Sequence, residues 1–152
     1  MKNAQATIEY LILLSVILML ALVSVNLTFQ FFDLGQDTQI KSSKEYYANQ
    51  KTVAIIDGGI NRDGNLELAL KNNLDYRIKI DMNHSIMLDD TYLELDQNYF
   101  IPEYSTVIVR GVVPNFDQTN NFSKKITITY FIDGTDLNAI TIGKKELILK
   151  VQ

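Results

Sequence analysis

Hydrophobic and polar residues are distributed unevenly along the chain. Residues 10–32 contain no charged residue, and the apolar run is interrupted only by Ser15, Ser24, Asn26, Thr28 and Gln30. As a helix rising ~1.5 Å per residue, this run would be roughly 35 Å long, enough to cross a hydrocarbon core of ~30 Å. Serine and threonine are tolerated in such a helix because their hydroxyls can bond to the preceding turn. The pattern therefore predicts a membrane-spanning helix.

The helical pattern weakens after residue 32 but does not stop there. Residues 33–37 are the first break in hydrophobicity, and Gly35 within them is a candidate kink. Residues 38–51 remain compatible with a helix, although Ser43 interrupts the apolar stripe. We expect one bent helix from about Thr7 to about Gln50.

From Thr52 onward the apolar residues alternate with polar ones, as in 66–70, 76–80 and 126–132. Turn signals separate the runs, at Asp63-Gly64, Asn72-Asn73, Asp89-Asp90, Asp133-Gly134 and Gly143-Lys144. Seven or eight short strands of this kind predict an antiparallel β-sandwich of immunoglobulin-like architecture. The predicted fold class is therefore α+β, a long N-terminal hydrophobic α-helix followed by that sandwich.

Composition excludes several classes of function. The formal net charge of −4 argues against a nucleic-acid partner, which would normally require a basic patch. Cysteine is absent, so there is no disulfide, thiolate metal site or cysteine nucleophile. The single histidine, His84, rules out a multi-histidine metal site and is better interpreted as a solvent-facing turn residue. We predict no enzyme activity and no cofactor.

The charges that flank the apolar run indicate its orientation. Lys2 precedes the run, and Asp33 and Asp37 follow it, so the positive-inside rule places the N-terminus in the cytoplasm. The run is longer than the apolar region of a secretory signal, about 7–15 residues, and no small-x-small cleavage site follows it. We expect the segment to stay in the mature protein as a single membrane span.

Glu9 is the residue that a simple membrane anchor explains least well. A carboxylate carried into lipid costs on the order of a few kcal/mol. As an anchor, the helix would begin here, with Glu9 at the headgroup level and near the positive end of the helix dipole. The residues around Glu9 support a second interpretation.

The run Gln5-Ala6-Thr7-Ile8-Glu9-Tyr10-Leu11 resembles the class III signal peptide of archaeal type IV pilin-like proteins. That family has Gln at the first mature position, Ser or Thr at the third and Glu at the fifth, matching Gln5, Thr7 and Glu9. Ala4 departs from the more usual Gly before the cut, and Thr7 from the commoner Ser. The resemblance implies that a prepilin peptidase cleaves between Ala4 and Gln5.

The resemblance also implies an organisation and a function. Residues 1–4 would be the cleavable leader, 5–50 the hydrophobic assembly and transmembrane helix, and 51–152 the extracellular β-sandwich domain. The chain would be a pilin of an adhesive archaeal type IV pilus-like cell-surface filament, a helical homo-oligomer with its apolar helices in the core. It would stay in the cytoplasmic membrane until the pilus assembly machinery takes it up.

Within that interpretation Glu9 has a role in assembly. Cleavage creates an α-amine at Gln5, and Glu9 of an adjacent subunit could neutralise it and set the axial register. Such a pair acts as a specificity device more than as a net stabiliser. Cyclisation of Gln5 to pyroglutamate would remove the amine, and the sequence leaves both states open.

The exported part offers candidate modification sites. Asn-x-Ser/Thr sequons begin at Asn26, Asn83 and Asn121. Asn26 lies in the apolar helix and is a poor acceptor, whereas Asn83 and Asn121 lie in predicted turns and are candidates for N-glycans. The oxygen-rich run 57–67 has some features of a calcium loop but lacks its final glutamate, so we interpret it as a hairpin. The tyrosines from Tyr46 to Tyr130 are interpreted as core and interface residues.

Other functions stay open. A minor pilin that primes or tips a filament is closely related, whereas the leader does not resemble that of an archaellum subunit. The alternative of a different class is a single-pass membrane-anchored β-sandwich that binds a solute, a glycan or a surface-layer protein. An exported hydrolase would depend on His84 and is the least supported.

Overall fold

The structure is a computed structural model that describes residues 2–117 and 121–151. Within the first helix its side chains are described at positions 8–28, 35 and 37–48. The chain divides into two compact units, Met1–Thr38 and Gln39–Gln152, and each is described by itself.

A single helix, α1, runs over Lys2–Ala48. It begins about five residues before the predicted start at Thr7, because lysine, alanine and glutamine all favour a helix. Its end lies within two residues of the predicted end at Gln50, a difference that is usual for helix termini. Gly35 does not terminate the helix.

The apolar part of α1 extends over Ile8–Thr28, which is long and apolar enough to cross a membrane. Its large apolar side chains are exposed when the chain is considered alone. The hydroxyls of Ser15, Ser24 and Thr28 each donate to the carbonyl oxygen four residues earlier, at 2.8 Å. This confirms the predicted way of satisfying those hydroxyls. Length and composition fit either a membrane anchor or a signal sequence.

Ten strands follow the helix within the described residues. They are β1 Val53–Ile60, β2 Asn65–Asn72, β3 Ile78–Ile80, β4 Ile86–Leu88, β5 Thr91–Tyr92, β6 Glu94–Leu95, β7 Tyr99–Ile101, β8 Thr106–Val112, β9 Phe122–Ile132 and β10 Asn138–Leu149. The number exceeds the predicted seven or eight because β5 and β6 contain only two residues each, too few for alternation to reveal.

The strands form two antiparallel sheets. One sheet has the order β1-β2-β8-β6. In the other, β4 and β3 pair with successive parts of one side of β9, β5 pairs with β4, β7 pairs with β3, and β10 pairs with the other side of β9. The predicted α+β class, a long helix followed by an antiparallel sandwich, is confirmed. Its immunoglobulin-like architecture stays a prediction.

One hydrophobic core lies between the sheets, and the alternation in the sequence identifies much of it. Leu66, Leu68 and Leu70 of β2 are fully buried, and so are Ile126 and Ile128 of β9. Buried tyrosines add polar groups that need hydrogen-bond partners, and Tyr47 of α1 is among them. The prediction that tyrosines serve the core is confirmed for the buried ones, whereas Tyr104 is largely exposed.

Most of the predicted turns are present. Gly64 and Gly134 have φ values of 80° and 79°, which glycine adopts without strain. The hairpin interpretation of run 57–67 is confirmed, because β1 pairs with β2 and the Asn61 side chain accepts two backbone N–H groups in the connection. The turn predicted at Gly143-Lys144 is wrong, because these residues lie inside β10.

Candidate functional site at the end of the helix

The last turns of α1 are hydrogen-bonded to a bulge in β10. The β9–β10 pairing shifts register between Ile142 and Glu146, which leaves residues 143–145 out of the ladder. We call these residues the β10 bulge. The polar side chains that bond to it come from Tyr46 and Tyr47, about 100 residues earlier in the chain, and Ser43 bonds to Ile148, three residues beyond it.

Tyr47 occupies the gap that the bulge opens. Its hydroxyl accepts a hydrogen bond from the Ile126 backbone N–H at 3.0 Å and donates one to the Lys145 carbonyl at 2.5 Å. Only 2 % of the residue is exposed. One phenol oxygen therefore satisfies backbone groups on β9 and β10 that a regular ladder would pair with each other.

Tyr46 and Ser43 extend the same attachment along β10. The Lys144 N–H donates to the Tyr46 hydroxyl at 2.9 Å, and the Ile148 N–H donates to Ser43 Oγ at 3.1 Å. Ser43 is buried, so the residue that weakens the apolar stripe in the sequence is an acceptor for the edge of a strand. The helix end covers that part of the β10 edge.

Glycine is required at position 143 by the tyrosine beside it. A Cβ atom there would overlap the hydroxyl and ring carbons of Tyr47. This close approach, rather than a chain reversal, explains why the sequence has Gly143-Lys144 at this point. The expected turn is a bulge because a side chain from the helix fills the space.

Charged and polar pairs surround the attachment. Lys44 of α1 forms an ion pair with Asp57 at 2.6 Å, and this bond lowers the pKa of the Asp57 carboxyl. Both side chains are well exposed, so the pair contributes little stability. Burial raises the pKa of the Tyr47 hydroxyl, which stays protonated and able to donate.

The residues predicted for processing lie at the other end of α1. Ala4, Gln5 and Thr7 are within the helix, and their side chains lie outside the described part of the chain. Glu9 is exposed, one residue after the start of the apolar span at Ile8. The carboxylate therefore lies at the boundary of that span.

The two sequons of the β-domain lie on its surface. Asn83 is an exposed residue of the turn between β3 and β4, and Asn121 is exposed directly before β9. The hydroxyls of their sequon serines are engaged: Ser85 accepts from the Asp81 N–H at 2.7 Å, and Ser123 donates to Glu146 at 2.5 Å. Asn26 lies within the apolar span.

Two clefts formed by the described residues have few features of a small-molecule site. A cleft of about 240 Å³ near Asn121 is lined partly by Phe116 and Phe122, below the ~300–1,000 Å³ of typical ligand pockets. A more open depression of about 560 Å³ includes Glu67 and Arg110, but these bond to each other at 2.8 Å. His84 is exposed in its turn, as predicted. Among the described residues no group of three acidic or histidine side chains could hold a metal ion.

Comparison of the chain with protein-family models, curated proteins and solved structures finds no match.

Proposed function

We propose that this chain is a pilin, the structural subunit of an archaeal type IV pilus-like cell-surface filament. The observation that carries the proposal is Glu9, a carboxylate at the boundary of the exposed apolar span Ile8–Thr28, preceded by Gln5 and Thr7 in the spacing of a pilin processing motif. In the filament the apolar helices pack together in the core.

The exposed apolar surface of α1 requires a partner. Leucine, isoleucine and valine side chains over this span lose their contact with water either in lipid or against the helices of other copies. A filament precursor uses both environments in turn, the membrane first and the helix bundle afterwards. A simple anchor uses only the first and leaves Glu9 at the headgroup level.

The helix end fits this assembly role. A membrane span needs about 20 residues, whereas α1 has 47. Its last turns are fixed to the β-domain by the side-chain hydrogen bonds of Ser43, Tyr46 and Tyr47. The end of α1 after Thr38 is therefore part of the same compact unit as the β-domain, whereas a tethered binding domain could use a flexible linker.

In this proposal a prepilin peptidase removes residues 1–4, and the assembly machinery draws the mature chain from the membrane. The N-terminus is cytoplasmic before assembly, and residues 51–152 face the outside. The filament is adhesive, as the resemblance to the family implies, and Asn83 and Asn121 carry N-glycans. Glu9 neutralises the amine at Gln5 of a neighbouring subunit when that amine is free.

Substitution of Glu9 tests the register role. We expect Glu9→Gln, which keeps the side-chain size and removes the charge, to insert into the membrane normally but to give few or disordered filaments. The measurement is electron microscopy of sheared cell-surface material, with immunoblots of the membrane fraction. Glu45→Gln, an exposed carboxylate on the same helix outside the apolar span, is the matched control.

Abundant, regular filaments from the Glu9→Gln variant would show that the carboxylate does not set the register. An uncleaved chain that stays in the membrane fraction would instead favour a membrane-anchored domain that binds a solute, a glycan or a surface-layer protein.

A further inference from the structure

The first half of β10 is an edge strand with unusual chemistry. Residues 138–142, Asn-Ala-Ile-Thr-Ile, contain no charge and no proline, and in the described chain β10 pairs only with β9. Ile140 and Ile142 are 58 % and 61 % exposed. We call residues 138–142 the β10 edge segment. Such a segment can pair with another strand, which is why most proteins protect their edges.

The backbone groups of this segment point away from β9 at every second residue. On β9, the Ile132 N–H points toward β10 and donates to the Leu137 carbonyl. The Thr129 N–H points to the opposite side of β9 and donates to the Ser85 carbonyl. Because the direction alternates along an antiparallel ladder, Asn138, Ile140 and Ile142 turn their N–H and C=O groups to the free edge. Their side chains are exposed on the outer face of the sheet.

The other strands at the ends of the two sheet orders are protected. β1 has a register shift at Ile56 and carries Asp57, β5 and β6 have two residues each, and β7 is three residues long and ends before Pro102. The second half of β10 is covered by the hydrogen bonds from α1. The β10 edge segment lacks each of these devices.

The charges that flank the segment are arranged symmetrically about Ile140. Asp136 lies four residues before it and Lys144 four residues after it, and both side chains are exposed. If two copies pair antiparallel with Ile140 opposite Ile140, Asp136 of each copy lies near Lys144 of the other, just beyond the paired residues, because Asp136 precedes β10 and Lys144 lies in the β10 bulge. Asn138 then lies opposite Ile142, so the residues with outward-directed backbone groups face each other. The register that pairs the charges also pairs the free hydrogen-bonding groups.

We propose that the β10 edge segment is an interaction surface for a second copy of this chain, joined by antiparallel strand pairing centred on Ile140. The pairing makes one sheet continuous across two β-domains and brings Ile140 and Ile142 of both copies onto one face. It is isologous, so it has a two-fold axis.

The consequence in a filament rests on the function proposed above. A polar helical filament has heterologous contacts, and a two-fold pair does not belong to that symmetry. The edge segments therefore join subunits of two antiparallel filaments and cause them to associate side by side. The pairing itself depends only on the β-domain.

The test uses the absence of native cysteine. In the proposed register the two copies of Ile140 have Cα atoms ~5.5 Å apart, within the range for a disulfide. Full-length Ile140→Cys in detergent micelles, under mild oxidation, should give a disulfide-linked dimer at least tenfold faster than Ile108→Cys. Ile108 is a matched control because it is a strand isoleucine that is 51 % exposed on the other sheet. Equal rates for the two variants would overturn the proposal.

A charge exchange tests the register. In the Ile140→Cys background, Asp136→Lys places like charges near each other at two symmetric positions and should slow cross-linking roughly tenfold. Adding Lys144→Asp restores the opposite charges and should restore the rate. If the variant with both Asp136→Lys and Lys144→Asp cross-links as slowly as the variant with Asp136→Lys alone, the proposed register is wrong. Because the assay uses dispersed chains, a failure of filament assembly does not affect it.

Discussion

The substitution Tyr47→Phe removes a single oxygen from the point where the helix meets the β-domain. The hydroxyl links the Ile126 N–H to the Lys145 carbonyl, and the ring that phenylalanine retains keeps the packing. No cavity is created, so the change in stability measures the two hydrogen bonds and the cost of leaving their backbone partners without one.

The expected loss follows from those two groups. The Ile126 N–H is buried, and an unsatisfied buried donor costs about 1–3 kcal/mol. The Lys145 carbonyl is partly buried and can recover part of its hydrogen bonding from water, so its loss is about 1 kcal/mol. We expect Tyr47→Phe to lower the free energy of unfolding by about 3 kcal/mol, a large part of the 5–15 kcal/mol of a typical domain.

The assay is urea unfolding of the full chain in detergent micelles, followed by the near-ultraviolet circular dichroism of the tyrosines. Tyr104→Phe is the control, because Tyr104 is 66 % exposed, and it should change the stability by less than about 0.5 kcal/mol. Gly143→Ala should destabilise the domain strongly, because the added methyl group overlaps the Tyr47 side chain. The same substitution should destabilise a Tyr47→Ala variant much less, because that side chain is then missing. A Tyr47→Phe variant as stable as the Tyr104→Phe control would refute the reasoning.

Two further predictions concern the β-domain. The buried Asn72 side chain shares its two amide hydrogens among the carbonyls of Tyr76, Ile101 and Pro102, so Asn72→Ala should cost about 3 kcal/mol in urea unfolding. A loss below about 1 kcal/mol would contradict this expectation. Burial raises the pKa values of Tyr47, Tyr99 and Tyr130 above 10.0, so the folded state holds protons that the unfolded state releases. Stability should be constant well below pH 10 and fall as the pH rises through 10 and beyond, less steeply in Tyr47→Phe; an equal slope would count against the burial of that hydroxyl.

The sequence predicts the elements whose cause is local. The uncharged run fixes the apolar part of α1, and the alternation of Leu66, Leu68 and Leu70 fixes a buried strand, because one-sided burial has a period that is visible in the residues themselves. The turns at Gly64 and Gly134 are predicted for a similar reason, since each needs a conformation that glycine favours.

The attachment of the helix could not be predicted from local patterns. Gly143-Lys144 has the composition of a turn, and only the approach of Tyr47, 96 positions earlier in the chain, makes it a bulge. Ser43 looks like an interruption of an apolar stripe until Ile148 supplies a backbone N–H to it. Both depend on which strand the helix contacts, and periodicity carries no information about that.

The proposed processing motif differs from both kinds of feature. Its residues Gln5, Thr7 and Glu9 lie in a helix that any apolar sequence would form, so the backbone gives them no distinguishing feature. Their spacing acquires meaning only through the peptidase and the neighbouring subunits that would recognise it. A direct experiment on the chain from its native cells is therefore decisive.

That experiment is the mass of the chain in sheared, pelleted cell-surface material. Our account predicts filaments that contain a chain beginning at Gln5, without residues 1–4, with any glycan mass assigned to peptides that contain Asn83 or Asn121. A further loss of one ammonia would identify pyroglutamate at Gln5. A chain that retains Met1 to Ala4 and is found only in the membrane fraction would contradict the account.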